Sequence, residues 1–255
     1  MLLAVFLSVF TMKITLTWPG LLAFGALVFG LAEAHELVHT GLGRLLCGCW
    51  GPRDFNVWSL CSTCATGHPY TNLAATLAGP AFTFAVGWVG YGLLGPRQPA
   101  ARQSLGFALV MATVPFARIL GAVFMGGNDE VYALSKFLPY STAWALGGAL
   151  VVLATVPPLV RAWAALRGQA RPWVFLAFFL LPFPIAAAVL LGALNSLLAT
   201  GFMATYGILG SPLLITCWTA AVGAVLALSY RHLFALGQPA AAPAGPAAPA
   251  PAAYF

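Results

Sequence analysis

His35-Glu36-Leu37-Val38-His39 sets two imidazoles four positions apart with a carboxylate between them. On an α-helix such positions lie one above the other, so His35 and His39 can grip one cation while Glu36 faces the water that the cation activates. The chemistry this pattern supports is metal-assisted hydrolysis. A hydrolytic zinc site commonly takes three protein ligands and leaves the fourth position to water, and two His plus one carboxylate is a standard set. The chain has five acidic residues. Four of them, Glu33, Glu36, Asp129 and Glu130, fall in just two places. Asp129 is therefore the expected third ligand and Glu130 the alternative. Glu33, two positions before His35, points to a different face and reads as a structural hydrogen-bond partner. The competing interpretation of the histidines is a polar patch satisfied by neighbouring carbonyls.

These residues sit in a chain of 255 residues that is 61% hydrophobic and 6% charged, with a mean hydropathy of +0.93. Soluble domains carry about 25% charged residues, so the composition is that of an integral membrane protein. A span needs roughly 20 apolar residues to cross about 30 Å of hydrocarbon. The apolar runs predict six: 18–46, 73–94, 105–124, 140–160, 172–198 and 211–230. The fold class expected is an all-α polytopic bundle with a small strand-containing connection after the first helix, its best strand candidate being Phe55 to Leu60. Residues 1–18 read as an interfacial N-terminal segment without a cleaved signal peptide, 19–236 as one membrane domain, and 237–255, almost entirely Ala, Pro and Gly, as a disordered tail. In the first helix His35 falls about 24 Å from Pro19, near the far boundary of the hydrocarbon. Helices one and three run in the same direction, so Asp129 and Glu130 reach that same level. Ionisable groups at membrane depth are costly and face an interior or a wet cavity.

In order along the chain, His35-Glu36-Leu37-Val38-His39, Ala78-Gly79-Pro80 and Asn128-Asp129 resemble the zinc-binding helix, the Ala-Gly-Pro stretch and the second metal motif of the site-2 proteases, intramembrane zinc metalloproteases. The likeness covers roughly residues 19–135. It implies Zn2+ as cofactor, His35, His39 and Asp129 as its ligands, Glu36 as general base, and a transmembrane protein segment as substrate within the lipid bilayer. Two departures stand out: Asp129 is flanked by Asn128 and Glu130 where the family has Gly after its Asp, and Thr83 stands where the family often has Asn.

Cys47, Cys49, Cys61 and Cys64 form C-x-C and C-x-x-C pairs that either bind a structural zinc or close two disulfides. Topology favours disulfides. With the N-terminus cytoplasmic, Lys13, Arg97, Arg102, Arg161, Arg167, Arg171 and Arg231 fall inside and Arg44, Arg53 and Lys136 outside, which puts the cysteines in an oxidising space. The resemblance implies the reverse, a zinc site nearer the cytoplasmic face. The formal charge of +6 is scattered over short connections and gives no stripe for nucleic acid. Expected placement is a plasma or inner membrane. Two other functional classes fit the same residues: a catalytically inert protease-like subunit of a larger membrane complex, and a transporter or channel with a His and acid relay.

Overall fold

The computed structural model describes residues 12–65 and 69–239. Among the described residues six helices are long and apolar enough to cross a membrane: α1 (Trp18–Cys47), α2 (Tyr70–Leu93), α3 (Ala100–Ser135), α4 (Tyr140–Ala165), α5 (Arg171–Ala199) and α6 (Leu213–Ala235). The chain is a multi-pass membrane protein.

The first helix is punctuated as its sequence demands. Thr17 accepts the Gly20 N–H at its start and Pro19 occupies the first turn, where no N–H is needed. At its end Gly48 takes a left-handed φ of 77° and returns its N–H to the Arg44 carbonyl, a conformation that glycine adopts without steric cost. Between these caps α1 runs unbroken for 30 residues.

The third helix is broken where the sequence predicts a plain span. Its inner piece, Ala100–Ala112, stops at Thr113 because Pro115 has no N–H to continue the ladder and crowds the residue before it. Val114 is forced to a φ of 50°, left-handed and costly for a β-branched residue. The chain resumes through Pro115–Ile119 and a π-helical turn, Leu120–Met125. Gly126, at φ 64°, ends that turn, and a final helical piece covers Asp129–Ser135. The break and the π turn aim Arg118 and Asp129 at α1.

The connection after α1 differs from expectation. Phe55 to Leu60 is not a strand. The Asp54 carboxylate accepts the N–H groups of Asn56 and Val57, closing a tight turn that consumes donors a sheet ladder would use, so only an isolated bridge joins Arg53 to Trp58. Two disulfides, Cys47–Cys64 and Cys49–Cys61, tie this connection to the end of α1. Asn195 of α5 donates to Asn56 in this turn.

The sheet among the described residues lies at the other end. β1 (Met12–Ile14) pairs antiparallel with β2 (Gly237–Pro239), so residues assigned by composition to an interfacial segment and a tail are joined to each other. Burial explains it: Met12 is fully enclosed beside Leu166 and Leu236, and Ser104 holds the end of α6 by donating to the Leu233 carbonyl and accepting from the Gly237 N–H. The rest of both terminal segments lies outside the described residues, as does His68. Phe24, Phe107, Met111 and Phe178 pack the bundle just inside this end.

Candidate metal centre

His35, Glu36 and His39 sit on one and a half turns of α1, against the middle of α2. The contact is possible only because α2 offers backbone there. A Cβ placed on Gly79 would fall 2.5 Å from the His39 Cε1 and 2.7 Å from the His35 Cε1, and closer still to the His39 Nε2. Each ring is then held from behind. The His39 Nδ1 lies 2.7 Å from the Ala75 carbonyl oxygen, which only accepts, so Nδ1 carries the proton and Nε2 the lone pair. The Thr83 hydroxyl gives its own proton to the Gly79 carbonyl and lies 2.9 Å from the His35 Nδ1, a nitrogen that the Arg118 Nη2 also approaches. The His39 assignment comes from its network of partners. Trp58 lies flat on His39, ring centroids 4.8 Å apart and planes at 10°.

Both Nε2 atoms point forward and approach to 3.0 Å. Asp129 completes the group, its Oδ2 at 3.4 Å from the His35 Nε2 and 3.7 Å from the His39 Nε2. Two imidazole nitrogens and a carboxylate oxygen thus converge, an electron-rich group that a cation among them would stabilise. Tetrahedral bonds of about 2.0–2.1 Å imply ligand atoms about 3.3 Å apart, and the three observed edges bracket that value. His35, His39 and Asp129 can hold a metal ion.

Glu130 is not part of this group. It follows Asp129 at the start of a helical piece, where successive side chains diverge by about 100°, and it is buried against the Arg118 Nη1 at 3.4 Å. Glu33 is structural, as its offset from His35 predicts: it takes hydrogen bonds from Arg53 at 3.1 Å and Thr219 at 2.9 Å, and Arg53 also donates to Ser211. This buried set ties the connection, α1 and α6 together. The four cysteines form disulfides and hold no ion.

Glu36 lines a cavity of about 380 Å³ shared with His35, Arg118 and Asp129 at its polar end and with Phe183 and Leu190 of α5 at its apolar end. Its Oε2 has no hydrogen-bond partner among the described residues. A second cavity, about 280 Å³, reaches Asp129 from the other side past Trp58, Asn72, Thr76 and Tyr132. Asn128 leaves room for this geometry by packing on Gly121 and donating to the Arg118 carbonyl.

No protein-family model, no curated protein and no solved structure matches the chain. What the centre can do follows from its own side chains. Two neutral imidazoles and a carboxylate suit a borderline-soft divalent ion better than Ca2+ or Mg2+, which favour all-oxygen cages. Sequence reasoning missed Arg118. Its Nη2 lies 2.8 Å from the His35 Nδ1 and 3.2 Å from its Nε2, so it stretches across the ring and not along one lone pair, and its Nη1 is 3.7 Å from Asp129. The signal was present: Arg118 is the one basic residue in the apolar run 105–124, and the scarcity argument that found the acids applies equally to it.

Proposed function

We propose that the chain is an intramembrane zinc metalloprotease of the site-2 protease type, cutting peptide bonds of membrane-embedded protein segments. The observation that carries this is the convergence of the two Nε2 atoms and Asp129 beside an unpartnered Glu36, in a cavity polar at the centre and apolar towards α5. Bound zinc would supply a Lewis acid and bring the pKa of water towards about 7. His35 and His39 would hold the ion through Nε2, with the Thr83 hydroxyl and the Ala75 carbonyl behind their Nδ1 atoms. Glu36 accepts a proton from the attacking water as its oxygen adds to the scissile carbonyl carbon. It then passes that proton to the amide nitrogen as the C–N bond breaks, leaving a carboxylate and an amine. The apolar end of the cavity suits an unwound segment, since helical backbone keeps its carbonyls hydrogen-bonded in lipid.

The disulfides and the basic residues agree on orientation. Cys47–Cys64 and Cys49–Cys61 belong in an oxidising space, and the end carrying β1 and β2 bears most of the Lys and Arg. The centre therefore opens towards the non-cytoplasmic side, the reverse of the usual site-2 arrangement.

Metal content by mass spectrometry on detergent-purified protein tests the proposal. About one zinc per chain is expected in wild type and in Glu36→Gln, and none in His35→Ala; Glu36→Gln should leave an apolar reporter peptide uncut. Metal-free wild type prepared without chelators would refute it. Arg118 favours one other reading: a guanidinium lying across His35 and beside Asp129 can stand in for the cation, as an inert structural subunit of a larger membrane complex requires. That reading expects no zinc in the wild-type chain.

A further inference from the structure

At the end of the bundle opposite the metal centre, Lys13, Arg167 and Arg171 line a cavity of about 390 Å³ together with Gly168 and Val174. The turn between α4 and α5 is fixed there: the Arg167 N–H donates to the Met12 carbonyl, the Arg171 N–H to that of Gly168, and Gly168 takes a φ of 99°. The Arg171 guanidinium lies 4.1 Å over the Trp163 ring, and its Nε is buried without a hydrogen-bond partner among the described residues. These three cations have no acid to answer them. Of the five acidic side chains, Asp129, Glu130 and Glu36 are at the metal centre, Asp54 is in the far connection, and Glu33, paired with Arg53, lies about 22 Å up α1 from Trp18. Like charges gathered around a concavity, one with a buried and unmatched donor, are stabilised by an anion. The dipole of α5 adds positive potential at its N-terminus. Trp163 and Trp173, both exposed, lie in α4 and α5 on either side of this turn in the chain, and aromatic residues are common at headgroup depth.

We propose that this cavity binds the phosphate of an anionic phospholipid headgroup in the leaflet at the basic end, with Arg171 and Arg167 on its oxygens, Lys13 at its rim and the acyl chains along Trp173 and Val174. The site is independent of the metal centre and of any activity there.

Native mass spectrometry of the full chain in detergent, with phosphatidylglycerol, phosphatidylcholine or inorganic phosphate added, tests this. Phosphatidylglycerol is expected to be retained and phosphatidylcholine not. A near-surface cation contributes about 1 kcal/mol to binding an anionic lipid, so Arg167→Gln and Arg171→Gln should each weaken retention about fivefold. Arg171→Lys, which keeps the charge, should lose less, and Arg97→Gln, exposed at the same end but outside the cavity, should change nothing. Equal losses from Arg97→Gln, equal retention of phosphatidylcholine, or no loss from either arginine variant would overturn the site. Displacement of the lipid by millimolar inorganic phosphate would assign the cavity to the free anion and overturn the headgroup.

Discussion

Gly79→Ala separates the metal centre from the helix that supports it. The added methyl would lie 2.5 Å from the His39 Cε1 and 2.7 Å from the His35 Cε1, against an optimal carbon–carbon separation of about 3.5 Å. One or both rings must move by about 1 Å, and neither can do so freely, because Ala75 and Thr83 hold their Nδ1 atoms. Loss of such supporting geometry typically costs about 10–100-fold in metal affinity. The backbone effect has the opposite sign: Ala in a helix interior is favoured over Gly by about 1 kcal/mol. Overpacking costs about 1–3 kcal/mol, so Gly79→Ala should fold with stability equal to or somewhat below wild type without metal, and bind zinc about 10–100-fold more weakly in competition with a chromophoric chelator. Gly87, in the same helix with nothing near its Cβ position, is the control: Gly87→Ala should gain the helix stability and leave zinc binding untouched. A Gly79→Ala chain with wild-type zinc affinity would refute the arrangement of α1 against α2.

The hydroxyl behind His35 predicts that Thr83→Ala weakens zinc about tenfold while Thr83→Ser restores it, read in the same chelator competition; equal affinity in all three would remove Thr83 from the centre. Breaking the buried Arg53–Glu33 pair by Arg53→Ala should destabilise the fold by about 3–5 kcal/mol, whereas removing both charges in Arg53→Met/Glu33→Leu should recover most of that, as thermal unfolding in detergent would show. Non-reduced protein should expose one reactive thiol, Cys217, and reduction should release the other four, with the connection accessible to impermeant reagents only from the side opposite β1 and β2. Labelling of the connection from the cytoplasm would reverse the orientation argued above.

The spans and the pairing of α1 with α3 were legible because both rest on scarcity: in so apolar a chain the few acids and histidines mark one level of the membrane. Asp129 over Glu130 was legible as a choice of two, and helix phase at the start of Asp129–Ser135 decides it. The contacts that make the centre rigid were not legible. Thr83, Gly79 and the Ala75 carbonyl act across 36 to 48 positions of sequence, through the packing of α1 on α2, which periodicity does not encode. Phe55 to Leu60 misled because its apolar alternation reads as a strand, while the local carboxylate of Asp54 had already taken the backbone donors. Gly237 to Pro239 misled in the other direction, since composition suits a tail but Met12 and Leu236 need covering.

The three ligands differ in how firmly they are mounted. His35 and His39 ride on a continuous helix clamped by α2, whereas Asp129 hangs from the outer segment of α3, beyond the Val114 break and the Gly126 turn. A metal ion leaving this centre would shed its carboxylate first and its imidazoles last. The lifetime of the loaded state is then set by how readily that segment swings outward, so substitutions at Val114 or Gly126, though neither residue touches the ion, should alter exchange rates more than equilibrium affinity.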